Sequence, residues 1–198
     1  MKESATERLH LCLEQFDDAN AEDPNREPDG SAKELLYAQR MSAWLDSLEP
    51  NAPEEVRLAV RAQHIRRWEI PRDTYPTGRL GYRKWRQELG RFHAETAGAI
   101  MRRCGYAEAT VARVQSVIRK ERFKSDPWAQ LLEDVACLVF LEHYFEPFAR
   151  EQEEASMVNI LRRTWSKMSE RGQQAALSVR YPPLCARLIQ KALHSSGP

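Results

Sequence analysis

Apolar residues recur three and four positions apart along most of this chain and alternate nowhere, which confines it to helices. Proline and glycine mark most of the breaks. From Glu3 to Asp18 the spacing sets Leu9, Cys12, Leu13 and Phe16 on one face, and the polar stretch from Asn20 to Gly30, with Pro24 and Pro28, reads as loop. Ser31 and Glu34 fit a capping box opening a helix to about Leu48. Pro53 sits early in the next helix, which reaches about Trp68. Pro71 to Gly81 reads as a long loop. A helix over Tyr82 to Cys104 is ended by Gly105, and another runs from Ala107 to about Glu121. Asp126 and Pro127 open a helix to about Phe145, stopped by Pro147. Glu151 to Glu170 and a short helix around Leu184 to Leu193 complete the chain. The pattern predicts an all-α protein, seven or eight helices in one irregular bundle forming a single domain over residues 1–198.

With 198 residues the chain can bury a core without staples, and 42% hydrophobic and 30% charged residues is an ordinary soluble composition. No stretch approaches a membrane span, and the acidic start has neither a basic leader nor a continuous apolar run, so no membrane partner is expected. Cys12, Cys104, Cys137 and Cys185 form no CxxC pair and read as buried thiols of a cytoplasmic protein. Net charge is +1 but unevenly spread: 14 acidic against 5 basic residues to Glu55, then ten basic against three acidic from Arg57 to Arg91. The basic block attracts phosphates, or else is an ordinary solvated helix face partly neutralised by the acidic start. An overall balance near zero does not favour a dedicated nucleic-acid binder. Nothing in the sequence fixes an oligomeric state.

Four helices carry a polar residue on the face that should be apolar. Val56 and Val60 lead to Gln63 and His64. His93 shares a face with Leu89, Thr96, Ala97 and Ile100, and Val111, Val114, Val117 and Ile118 lead to Glu121. Asp134 lies among Leu131, Val135, Leu138 and Leu141. A lone buried histidine is usually a hydrogen-bonded core residue, and Glu121 sits where a helix ends. Asp134 is harder to place, because an unpaired carboxylate there costs several kcal/mol and needs an arginine, a histidine or a metal. Two imidazoles and a carboxylate suit a divalent ion.

The order of these residues resembles HD-type metal-dependent phosphohydrolases, helical proteins with a histidine on one helix, a His-Asp doublet on the next and a distant aspartate. Tyr37-Ala-Gln-Arg40-Met41 is similar to the opening helix and Val60-Arg-Ala-Gln-His64-Ile65 to the doublet helix. His93 to Met101, with Cys104-Gly105-Tyr106 and Val111 to Glu121, is similar to the helices carrying intermediate histidines. Leu131-Leu-Glu-Asp134 is similar to the segment with the last aspartate. The likeness spans an HD-like core over about 33–144, with helices of 151–198 packing on it. Tyr37 stands where the first histidine belongs and Ile65 replaces the doublet aspartate. The whole sequence also resembles a conserved, functionally uncharacterised family of bacteria and fungi. The strings that carry this are Glu34-Leu-Leu-Tyr-Ala-Gln-Arg-Met41, Gln63-His-Ile-Arg-Arg-Trp-Glu-Ile-Pro-Arg72, Tyr75-Pro76 with Gly81-Tyr82 and Trp85-Arg86, and Glu133-Asp134 with Glu142-His143. Some fungal members are labelled glutamyl-tRNA synthetase, although no synthetase nucleotide motif or Rossmann pattern is present.

The HD resemblance implies a divalent metal ion on His64, His93 and Asp134, with Glu121 as general base. Arg40, Arg66, Arg67, Arg72 and Lys120 would hold a phosphate-bearing small molecule, for instance a nucleotide. Two other readings stand beside this hydrolase. One is a metal-free binding module for an anionic ligand, with stacking surfaces on Trp68, Tyr75, Tyr82 and Trp85. The other is a protein- or RNA-interaction factor acting through its C-terminal helices.

Overall fold

The computed structural model describes residues 5–194, so the expected helix start at Glu3 lies outside the described residues. Among the described residues the chain is all-α, with ten α-helices and no β-strand. It divides into two compact units, one ending at Leu132 and one beginning at Glu133.

The first unit holds α1 (Ala5–Ala21), α2 (Lys33–Leu48), α3 (Glu54–Arg61), α4 (Gly78–Arg103), α5 (Glu108–Ile118) and the start of α6 (Pro127–Val139). Its core is the set the 3.6-residue period selects: Cys12 and Phe16, Met41 and Leu45, Val56 and Val60, Leu89 and Met101, and Val111, Val114 and Val117, all buried. α5 packs on both α3 and α4. Its approach to α4 depends on small residues four apart. A Cβ at Gly98 would lie 2.4 Å from Gln115 Nε2, and that nitrogen donates to the Ala94 carbonyl (2.9 Å). Arg61 on α3 ties three helices, donating to both oxygens of Asp17 (2.7 and 2.5 Å) and to Ser42 Oγ (3.0 Å).

Three expectations need correction here. The capping box at Ser31 does not form: Ala32 is the N-cap, with no side-chain cap bond, and the amide of Glu34 donates to Asp23 Oδ2 (3.0 Å). α3 stops at Arg61 instead of reaching Trp68: the backbone already leaves helical geometry at Ala62 (φ −91°, ψ 3°), and Arg66 in the left-handed region (φ 52°) keeps the helix from running on to Trp68. α4 begins at Gly78, four residues before Tyr82. Its first turn lies against the preceding loop: a Cβ at Gly81 would sit 1.9 Å from the Pro76 carbonyl oxygen, so only glycine fits.

The second unit runs from the end of α6 through a π-helical turn (Phe140–Tyr144), α7 (Phe145–Arg150), α8 (Glu154–Lys167), α9 (Glu170–Ser178) and α10 (Pro183–His194). Pro147 does not stop a helix at Phe145. It sits in the first turn of α7, where its missing N–H costs little, and the ladder before it widens into the π turn. α9 is a helix the period alone did not separate. Its signal is Ser169, an N-cap whose Oγ accepts from Gly172 N. The four cysteines are buried and free, and no described helix is long and apolar enough to cross a membrane.

Candidate functional site

The first unit buries a cluster of ionisable side chains between α2, the irregular turn after α3, and α4. The turn exists because consecutive three-residue bonds (Ile65 N–H to the Ala62 carbonyl, 3.1 Å; Arg67 N–H to the His64 carbonyl, 3.1 Å) replace the α-helical ladder. Left-handed Arg66 then donates its amide to Asn20 Oδ1 (3.0 Å). The result turns His64 and Arg67 toward α2. Arg67 Nη1 donates to His64 Nε2 (3.0 Å). A guanidinium can only donate, so the His64 proton is on Nδ1, which lies 3.4 Å from Glu34 Oε2. Arg67 Nε is 3.7 Å from the other Glu34 oxygen. Tyr37 stacks flat on His64 with centroids 4.1 Å apart.

His93, on α4, is 3% exposed and its ring centroid is 5.8 Å from that of His64. Its Nδ1 donates to the Ile65 carbonyl (2.8 Å). A carbonyl can only accept, so Nε2 carries a lone pair, and that atom is buried with no hydrogen-bond partner. Gln63 Oε1 and Glu34 Oε2 share that condition. Desolvation sets the protonation states: burial pushes the Glu34 carboxyl up to about 7 against the pull of Arg67, the His93 imidazole down to about 3, and His64 well below its usual range. Both histidines are neutral at physiological pH.

Gln63, His64 and His93 line a recess of about 70 Å³ whose other walls include Arg86, Arg119 and Lys120. A shallow groove of about 530 Å³ shares Arg86, Gly90 and Arg119 with it. Gly90 and Arg119 lie on the wall common to both, where a Cβ on Gly90 would make an ordinary van der Waals contact with the Arg119 backbone (4.0 Å). Lys120 is held in the left-handed region (φ 54°) at the end of α5, a conformation that disfavours lysine and is retained where surrounding structure demands it.

The residues expected in a metal site are thus distributed differently. His64 and His93 come together, but the nitrogen of His64 that bears a lone pair faces Arg67. Asp134 belongs to the second unit and caps α9. Its Oδ1 accepts from Ser169 N (2.8 Å) and its Oδ2 from Ser169 Oγ (2.5 Å), while a Cβ at Gly172 would lie 2.8 Å from the carboxyl. Both Asp134 oxygens are engaged within its own unit, and among the described residues no group of three or more His, Cys, Asp and Glu is arranged to hold a metal ion. Glu121 is exposed on the groove wall. Its hydrogen bond from Arg119 (2.7 Å) lowers its pKa, the wrong direction for a general base near neutrality.

The acidic start partly neutralises the basic block, pairing with four of its ten basic residues. Arg57 pairs with Asp46, Arg61 with Asp17, Arg66 with Glu22 and Glu69, and Arg67 with Glu34. Arg72 donates to the carbonyls of Tyr75 and Pro76, fastening the loop whose Ile70 carbonyl accepts from Trp85 Nε1. Arg40, on α2, lines neither recess nor groove. Of the expected phosphate clamp only Lys120 does. Arg86 and Arg119 were missed, although Arg86, Gly90 and His93 fall at i, i+4 and i+7 on α4, the spacing of one helical face.

Fold and site together define an all-helical protein with a neutral histidine pair beneath a basic groove. Residues 10–189 match a domain of unknown function, DUF4202, and the chain belongs to that family. No curated protein and no solved structure matches it.

Proposed function

We propose that this protein is a metal-free binding module for a small phosphate-bearing anion, seated in the recess and lying along the groove. The observation that carries the reading is the convergence of Arg86, Arg119 and Lys120 on one small recess whose inner wall is two neutral imidazoles. Three cations around a partly desolvated space attract an anion more strongly than the same charges spread over a surface. Arg67 occupies, beside His64, the role an ion would have in an HD-type site, a charge held against Glu34. The recess volume suits a single phosphoryl group rather than a whole nucleotide, whose remainder would follow the groove.

The test is a thermal-shift and calorimetric series with inorganic phosphate and a panel of phosphate monoesters and nucleotides, with and without chelator. The expected result is saturable stabilisation that chelator leaves unchanged and that Arg119→Gln weakens. Stabilisation abolished by chelator, or metal-dependent turnover of the monoesters, would replace this reading with HD-type hydrolysis. No stabilisation by any member would discard both.

A further inference from the structure

The recess sets positive charge beside unmet acceptors. Arg86, Arg119 and Lys120 line it, yet His93 and Gln63, which line the same space, each keep a buried acceptor atom without a hydrogen-bond partner among the described residues. His93 is the firmer of the two, because the Ile65 carbonyl fixes its proton on Nδ1 and leaves a lone pair at Nε2. A fully deprotonated oxyanion would satisfy the cations and leave these two acceptors facing other acceptors, each still unsatisfied.

We infer that the site selects a phosphate group that still carries a proton, and therefore discriminates phosphate from sulfate. This rests on the anion-binding reading. A phosphomonoester monoanion has one P–O–H to donate to His93 Nε2 or Gln63 Oε1, and its charged oxygens remain for Arg86, Arg119 and Lys120. Sulfate matches it in shape but has no proton to give near neutral pH. The groups that face His93 agree on its neutrality: His64 from the turn after α3, Arg67 beyond it, Arg86 on its own helix, and Arg119 and Lys120 from the end of α5. The cations oppose a second positive charge there, so the proton comes with the ligand or is taken up from solvent as the dianion binds. The second ionisation of a phosphomonoester falls near pH 6 (about 6), so binding at pH 8 draws a proton from solution.

Calorimetric titration of the full chain with inorganic phosphate and with sulfate at neutral pH, and with a phosphomonoester at pH 6 and 8 in buffers of different ionisation enthalpy, tests this directly. The expected result is inorganic phosphate, which keeps a P–O–H throughout, at least about tenfold tighter than sulfate, with weaker monoester binding at the higher pH and net proton uptake there. Gln63→Met, close in shape but without the acceptor, should narrow the ratio of the two affinities, whereas Arg119→Gln should weaken both ions together. Equal affinity for phosphate and sulfate in the wild type, or no proton uptake when the monoester binds at pH 8, overturns the inference and leaves anion binding standing. Absence of binding by either ion overturns the anion-binding reading along with it. The wild-type comparison does not depend on either variant folding.

Discussion

Glu34 and Asp134 are both carboxylates buried in helical surroundings, 7% and 4% exposed, and the chain treats them in opposite ways. Asp134 has a hydrogen bond to each oxygen and a glycine opposite that makes room for its carboxyl. Glu34 has two cationic or polar neighbours at ion-pair distance but an oxygen without a hydrogen bond, and its pKa rises to about 7. Burial alone therefore does not mark a site. Satisfaction separates the two: a fully bonded carboxylate secures a helix end, and an under-bonded one beside two neutral imidazoles belongs to a pocket whose electrostatics are tuned.

The largest effect expected from this contrast is at Asp134. Asp134→Ala removes two charge-assisted hydrogen bonds and the order of the α9 N-terminus, and should cost on the order of 4 kcal/mol in urea unfolding. Phosphate affinity of the folded protein should be unchanged. A variant that keeps its stability but loses phosphate binding would place Asp134 among the ligand-binding residues and erase the distinction. Gly172→Ala probes the same contact from the other side. Its methyl would lie 2.8 Å from the carboxyl, so a loss of about 2–3 kcal/mol is expected, with little further loss once Asp134 is already Ala.

Glu34 should answer differently, and as a function of pH. In the unfolded chain its carboxyl titrates near 4.5 and in the fold near 7. The folded state thus holds a proton that the unfolded state has lost, and stability from this group falls as pH rises from 4.5 through 7. Glu34→Gln removes that loss. It should match wild type below pH 4.5 and exceed it above pH 7, by on the order of 2–3 kcal/mol, the pull of Arg67 being already contained in the raised pKa. The imidazole contribution runs the other way: His93, depressed from 6.5 to about 3, contributes stability that is intact above pH 6.5 and lost as pH falls toward 3. Urea midpoints of both proteins at pH 4.5 and 8 measure this. A Gln variant less stable than wild type at pH 8 would show that Glu34 is as well supported as Asp134.

Much of this was legible before any coordinates. The helical class, the buried thiols and the inward set of Gln63, His64, His93 and Asp134 follow from periodicity, because a 3.6-residue repeat assigns a face to every residue. Partners do not follow, because the same buried carboxylate pattern describes Glu34 and Asp134 alike. Glu34 was read as half of a capping box, a local role, when Asp23, eleven residues earlier, does the capping. Ser169 lies 35 residues from Asp134, and no local pattern couples them. Arg119 and Lys120 were legible only as the residues after a buried stripe; that they close a recess depends on how α5 meets α4 at Gly90.

The smallest expected effect is also the most diagnostic, because two helix ends in the first unit share one design and differ in one residue. α4 ends with Gly105 at φ 79°, its amide donating to the Arg102 carbonyl (3.0 Å) and that of Tyr106 to the Met101 carbonyl (3.1 Å). α5 ends in the same pair of bonds, Lys120 N–H to the Val117 carbonyl (2.9 Å) and Glu121 N–H to the Ser116 carbonyl (3.1 Å), with lysine at φ 54° where glycine is favoured. A left-handed lysine costs about 1–2 kcal/mol and glycine returns part of that through unfolded-state entropy, so Lys120→Gly should stabilise the fold by about 1 kcal/mol or less. If the side chain is kept for the recess, the same substitution should weaken phosphate binding about tenfold, the worth of one charge-assisted hydrogen bond. Stability and affinity moving in opposite directions is the expected signature of a residue retained for binding. A variant that is destabilised, with phosphate affinity intact, would instead make Lys120 a structural residue like Asp134 and shift the site's positive charge onto Arg86 and Arg119.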